Sequence, residues 1–371
     1  MRVPRTVMTI CLFAHSWLSD WNHGNAHFLR GLASALVARG HTVRGYEAQP
    51  PGWSLANLKE ESRGPASVAQ FRKAYPELDL HFYDAATDWA LALRDADVVV
   101  VHEWNPAELL HALAGARRRR HFRLLLHDTH HRAASQQAAI AEFPLEQCDG
   151  VLAFGESLRQ LYERRGIRRT FTFHEAADVR RFHPAAGSAP PGVDWDLVWI
   201  GNWGDDERSQ EINEFLLEPV CELRLRTLVH GVRYPASAHA EFVRRGIRFG
   251  GYLPNLEAPA LYHASRLTVH IPRRPYAERL PGIPTIRMFE ALACGATLLS
   301  GPWHDTEGLF QSGDDFISVR NRAEMAAACR QLLADEAQRI RVGQHGARTI
   351  RARHTCDHRA RQLEEICRNL D

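Results

Sequence analysis

Apolar residues in this chain come as short unbroken runs set between helical stripes. The run TVMTICLFAH (6–15) predicts a buried strand. The next segment, GNAHFLRGLASALVARG (24–40), repeats apolar residues at Phe28, Leu29, Leu32, Leu36 and Val37, which is the spacing of one helix face, and Gly40 ends it. Strand-like runs return at 41–46, 96–104, 122–131 and 148–157. Runs that are continuous rather than alternating mark strands covered on both faces, hence a parallel sheet. Polar residues gather just behind each run, at the carboxyl ends of the strands, the edge where open α/β sheets bind ligands.

A second round starts near Trp195. It has runs at 195–206, 225–231, 247–253, 266–271, 296–301 and 315–319, with helical patterns between them, and a tail from Glu324 that is almost wholly helical. Between the rounds, RRFHPAAGSAPPGVD (180–194) has the composition of a linker. The pattern predicts an α/β chain of two Rossmann-like parallel-sheet domains, 1–180 and 190–350, facing across a cleft. A C-terminal helix over 351–371 is expected to pack back toward the first domain.

Composition narrows the class. The 371 residues exceed one ordinary core, and 45% hydrophobic with 24% charged residues is globular composition. A net charge of +2 gives no reason to expect nucleic acid. The seven cysteines are scattered with no C-x-x-C pair, which excludes a zinc ribbon and fits a reducing compartment. The N-terminal apolar run is short for a signal peptide, and no segment has the roughly 18 apolar residues of a spanning helix. A cytoplasmic protein is expected. The basic run ARRRRH (116–121) reads as a solvated helix end or as a peripheral contact with anionic lipid or a charged acceptor.

The most informative stretch is LPGIPTIRMFEALACGATLLSG (280–301). Thr285 stands where it can cap a helix that follows Pro284. Ile286, Phe289, Leu292 and Ala293 form its core face, and Arg287 lies one turn before Glu290 on a shared face. The helix start offers backbone N–H groups to an anion. A carboxylate behind such a site suits a nucleotide ribose next to its diphosphate; an Arg287–Glu290 surface pair is the plain alternative.

This stretch, the two-domain pattern and the helical tail resemble GT-B-fold glycosyltransferases. The likeness is to family-four-like and spore-maturation-type bacterial enzymes, whose hallmark has the form R-x-FEA-x-A-x-G. HGNAHFLRGLASALVARGHTV (23–43) is similar to their first loop and helix, HEAADVRRFHP (174–184) to their interdomain crossing, and WIGNWGDDERS (199–209) to the loop that opens their second domain. The resemblance implies that Glu290 binds the ribose of a nucleoside-diphosphate sugar. Many retaining members carry a second acid eight residues earlier; this chain has Gly282 there, so the resemblance carries no retaining outcome.

Further candidates surround that reading. HDTHHR (127–132) admits a metal site, a structural cluster, or contacts from His127, Asp128 and His131 to the transferred sugar, the last implied by the resemblance. GT-B transferases usually need no metal, and none is expected here. Glu103 in HEWNP reads as a group that orients or deprotonates an acceptor hydroxyl, or as a helix-start acid. Arg208 is the first choice to meet the donor diphosphate, with Arg273 and Arg274 second, an exposed turn being the alternative for that pair. His15 and Gly24 would close the site from the first domain. The expected reaction moves a hexose-type group from a nucleoside-diphosphate sugar to a hydroxyl of a glycan, a lipid-linked acceptor or a small molecule, with no separate cofactor. A nucleoside-diphosphate-sugar epimerase and a non-catalytic GT-B-shaped binding subunit are the alternatives.

Overall fold

The computed structural model describes residues 7–118, 121–185 and 194–370. Most of the linker sequence, 186–193, and the centre of the basic run, 119–120, lie outside them. The chain forms two units, Met1–Glu175 with Cys356–Asp371, and Ala176–Thr355.

Unit one holds seven parallel strands: β1 (Thr9–Phe13), β2 (Thr42–Ala48), β3 (Asp79–Tyr83), β4 (Val98–His102), β5 (Arg123–Asp128), β6 (Gly150–Ala153) and β7 (Thr170–Thr172). Their order is β3-β2-β1-β4-β5-β6-β7. β1 pairs with β2 on one side and β4 on the other, so the strand order reverses between β1 and β4. The central strands β1, β4, β5 and β6 are the unbroken runs, buried on both faces. The helix Ala26–Ala38 buries Phe28, Leu29, Leu32 and Leu36. It stops where Gly40 takes φ +93°, a conformation that costs other residues a steric penalty. The helix Cys356–Asn369 completes this unit. Its Glu364 accepts from Arg39 at 2.6 and 2.8 Å and lies 2.9 Å from His41 Nε2. Arg359 donates to the His174 carbonyl at 2.8 Å.

Unit two holds six parallel strands: β8 (Trp195–Ile200), β9 (Thr227–His230), β10 (Arg248–Phe249), β11 (Ser265–His270), β12 (Leu298–Ser300) and β13 (Ile317–Ser318). The order β10-β9-β8-β11-β12-β13 repeats the plan of unit one, and the reversal falls between β8 and β11. Leu197, Trp199, Val229, Leu267, Val269 and Leu299 from four of these strands meet Phe215, Leu216 and Phe242 in its core. Where the chain passes between units, Ala177 and Thr355 form a parallel bridge.

Two strands of unit one escape the apolar-run pattern. β3 is an edge strand with alternating exposure, and β7 is a three-residue edge strand. Neither is covered on both faces, so neither is written as an apolar run. The expected strand over 247–253 shrinks to the two residues of β10 for the same reason. No described helix is long and apolar enough to cross a membrane.

Candidate active site

The reversal of strand order leaves a crevice position at the carboxyl edge of each sheet, where connections leave in opposite directions. Both units place their chemistry-bearing side chains there.

In unit two the loop after β8 runs Gly201–Gly204 into a short helix, Asp205–Glu207, and then Arg208. Gly204 has φ +78°, and a Cβ on it would come 2.8 Å from Arg208 Nε, so glycine lets the loop close over this guanidinium. Arg208 Nη1 donates to the Ile271 carbonyl at 3.2 Å, and Nη2 donates to the Asn202 carbonyl and side-chain oxygen at 2.5 and 2.6 Å. All these acceptors are neutral. The guanidinium also lies 5.3 Å from the Trp199 ring centroid. Burial and then the charge of Arg273 lower its pKa to about 9, which still leaves it cationic at neutral pH; Arg287 acts in the same direction.

Arg273 pairs with Glu207 at 2.5 Å and shares the Asn202 side-chain oxygen at 3.2 Å. Arg274 turns instead to Glu211 and Gln210, each 3.5 Å away. His270, at the end of β11, lies 2.9 Å from Ser300 Oγ through Nδ1; its buried Nε2 has no hydrogen-bond partner among the described residues. Burial, then Arg208, hold its pKa down at about 3.

Glu290 lies on the helix Ile286–Ala293 and is 0% exposed, so it is not half of a surface pair. Its Oε1 accepts from Asn255 Nδ2 at 2.8 Å and its Oε2 accepts from Arg287. Thr285 occupies the N-cap position, but its hydroxyl makes no capping bond, contrary to the expectation; its carbonyl accepts from Met288 N–H at 3.0 Å. Gly282 has φ +88°, and a Cβ there would meet Thr306 Oγ1 at 2.1 Å. A side chain at that position would strain the left-handed backbone and displace the Thr306 hydroxyl, and glycine offers a ligand only its main chain.

In unit one, β1 leads to His15, β4 to His102 and Glu103, and β5 to His127 and Asp128. His15 and His23 approach with ring centroids 3.9 Å apart, and His102 lies 5.9 and 6.2 Å from them. Gly24 is in the turn just before the first helix and does not take a left-handed conformation. His102 Nε2 is 2.9 Å from Thr129 Oγ1, whose hydroxyl donates to Glu103 Oε1 at 3.3 Å and accepts from Asn25. Glu103 Oε2 is 3.1 Å from His102 Nδ1. Burial, then neighbouring Asp128, push the Glu103 pKa well above its ordinary value.

His127 is packed between Phe28 and Phe173, with centroids at 5.9 and 5.5 Å, and burial lowers its pKa to about 3. Asp128 accepts from the Tyr162 hydroxyl at 2.6 Å and from the His130 N–H at 3.0 Å, so both its oxygens tie β5 to neighbouring elements. His131 is bonded to Ser135 at 2.8 Å. His127 Nε2 is buried with no hydrogen-bond partner among the described residues. Among the described residues no group of three or more histidines, cysteines or acids is arranged to hold a metal ion.

Sequence reasoning missed His102, His23, Asn202, Asn255 and His270. The rule that singled out HEW and HDTHH, a polar residue ending an apolar run, applies equally to His270 in RLTVHI. Nothing local marks Asn202 or Asn255, whose roles come from contacts across 6 and 35 residues.

Residues 208–365 match the sequence family described as "Glycosyl transferase-like". No curated protein matches the chain. Among solved structures, the sucrose-phosphate synthase of Thermosynechococcus elongatus is 14% identical, with 98% of this chain and 99% of that one covered and a TM-score of 0.67. The Anabaena HepE structure in complex with UDP and glucose is 12% identical over 96% and 98% of the chains, with a TM-score of 0.69. An alpha-glucosyltransferase in complex with UDP and a DNA 13-mer is 13% identical over 98% and 100%, with a TM-score of 0.69. The two parallel-sheet units thus have the fold of GT-B glycosyltransferases.

Proposed function

We propose that this chain is a glycosyltransferase that moves a hexosyl group from a uridine-diphosphate sugar to a hydroxyl acceptor, with the nucleotide on unit two. The observation that carries the reading is Arg208, a half-buried cation at the strand-order reversal whose hydrogen bonds among the described residues all go to neutral oxygens. With Arg273 and Arg287 it makes three guanidinium groups, of which Arg273 pairs with Glu207 and Arg287 with Glu290. Such a site favours an anion, and guanidinium forks match phosphate oxygens in pairs. As the glycosidic bond breaks, the diphosphate gains charge, and cations already fixed around it lower that barrier most. Asn255 and Arg287 fix the Glu290 carboxylate on the helix Ile286–Ala293, and in this reading it receives the ribose hydroxyls.

Two neighbours in the fold support the choice of nucleotide, because both are described in complex with UDP. Guanidinium groups supply the positive charge that a divalent ion would otherwise bring, so the proposed transfer persists in excess chelator. The site of action is proposed to be the cytoplasm.

Incubation with uridine-, guanosine- and thymidine-diphosphate sugars tests the reading. Release of uridine diphosphate is the expected outcome. An isomerised sugar nucleotide would make the protein an epimerase, and no turnover with any donor would make it a binding subunit.

A further inference from the structure

The edge of unit one carries a second arrangement that the donor chemistry leaves unused. Trp53 begins the helix Trp53–Glu60 and is 39% exposed, the one tryptophan among the large apolar side chains that stand open to solvent in the described residues. The His15 ring lies parallel to its indole, with centroids 5.4 Å apart and planes within 10°. Trp21 and Trp104 meet it edge-on at 6.1 and 6.4 Å. Trp21 is fixed by donating to Glu61 at 2.9 Å, and Trp104 by the Arg132 guanidinium 4.2 Å from its ring centroid. Below them lie His15, His23 and His102. Both ring nitrogens of His15 and Nε2 of His23 are buried with no hydrogen-bond partner among the described residues, although His15 is only 7% exposed. Leaving buried polar atoms unbonded is costly, and native structures keep few of them.

The chemistry of this arrangement differs from that of a phosphate site. Burial holds His15, His23 and His102 far below their ordinary pKa, so all three are neutral imidazoles at pH 7. A neutral imidazole offers one N–H and one lone pair, which is what a hydroxyl group both accepts and donates. An indole face is electron-rich and attracts the weakly positive C–H groups along one side of a sugar ring. Of the nearby cations, Arg30 donates to the Trp17 carbonyl at 3.0 and 2.8 Å and lies 3.6 Å from Asp20, and Arg132 lies over the Trp104 ring, so the two do not form a row. A nucleic-acid backbone would instead call for a row of uncommitted cations.

We propose that Trp53, flanked by Trp21 and Trp104 and backed by the His15 ring, is a saccharide-binding subsite, with a pyranose ring stacked on the exposed indole in surroundings that the neutral imidazoles keep free of charge. Its role as the acceptor subsite rests on the transferase reading; the binding itself does not. The acceptor is then a glycan or glycoside, and the hydroxyl to be glycosylated belongs to a sugar.

Saturation-transfer NMR on the full chain, without nucleotide, tests this. The probes are methyl β-D-glucopyranoside, cellobiose and maltose, with p-nitrophenol and a thymidine decanucleotide as other ligand classes. Transfer to pyranose C–H protons is expected for at least one saccharide. It should weaken by roughly tenfold in Trp53→Ala, the upper end of what one aromatic contact contributes, return largely in Trp53→Tyr, and persist in Arg208→Ala. Thermal melting checks that the variants fold, and Trp53→Gln replaces the alanine variant if that one does not. Transfer to no saccharide, equal transfer in parent and Trp53→Ala, or transfer confined to p-nitrophenol or the oligonucleotide overturns the proposal. Trp53-dependent saccharide binding without any uridine diphosphate release would overturn the transferase reading alone. Uridine diphosphate release without Trp53-dependent binding would overturn the subsite alone.

Discussion

The carboxyl edges of the two sheets invite direct comparison. Both sheets are wholly parallel, both reverse their strand order after the first strand, and both place a loop and a strand end at that reversal. In unit one the side chains there are imidazoles that burial keeps neutral, with indoles beside them. In unit two they are guanidinium groups, one of them half-buried and without a carboxylate among its hydrogen bonds. In the proposed account, one backbone plan serves neutral hydroxylated ligands in one case and an anion in the other. The fold supplies the position and the residues behind each strand supply the chemistry.

The strongest way to break this contrast is to remove the cation. Arg208→Ala should lower turnover with a uridine-diphosphate sugar by roughly 10²–10³, the loss that follows removal of one preorganised group facing developing charge. Turnover should fall more than donor affinity, since only interactions that strengthen in the transition state accelerate the step. Arg208→Lys should recover part of the rate, because charge is kept while the fork is lost. Steady-state kinetics within a few-fold of the parent would remove Arg208 from the chemistry.

A smaller effect is expected at Glu290. Glu290→Ala should weaken uridine diphosphate binding by about 1–3 kcal/mol, the range for losing hydrogen bonds to a charged group. Calorimetry with a folded variant measures it, and unchanged affinity would leave the Arg287–Glu290–Asn255 contacts purely structural.

The smallest effect sharpens the account of unit one. His15 has a folded-state pKa of about 3, below the ordinary value of about 6.5. The unfolded chain therefore binds a proton that the folded chain refuses, and stability from this group is lost as pH falls from 6.5 toward 3. Between pH 6.5 and 5.5 that loss is roughly 1 kcal/mol. His15→Asn, which cannot titrate, should show a correspondingly shallower loss in urea unfolding at the two pH values. Equal slopes for parent and variant would mean that His15 is protonated in the folded protein.

Much of the fold is written in residue order. The buried strands β1, β4, β5 and β6 appear as unbroken apolar runs because helices cover both of their faces, and Gly40 marks a helix end because only a left-handed residue closes it there. The edge strands β3 and β7 leave no such trace, since half-covered strands need no continuous apolar run. At the site, sequence could point to Arg208 and Glu290 but not to their settings. The loop from Gly201 to Arg208 folds back on itself through Gly204, and Asn202 thereby touches both Arg208 and Arg273. Asn255 reaches Glu290 from a separate short helix. The acid missing at Gly282 has a structural cause that no spacing rule carries, a left-handed backbone pressed against Thr306.

The central claim is that unit two recognises a diphosphate through Arg208 and its neighbours. Calorimetric titration of uridine diphosphate and of uridine into the parent and into Arg208→Ala isolates that term. The account predicts that the parent binds the diphosphate far more tightly than the nucleoside, and that most of this difference disappears in the variant while uridine binding is unchanged. Equal affinities of the parent for uridine and uridine diphosphate, or a difference that survives intact in Arg208→Ala, would contradict it.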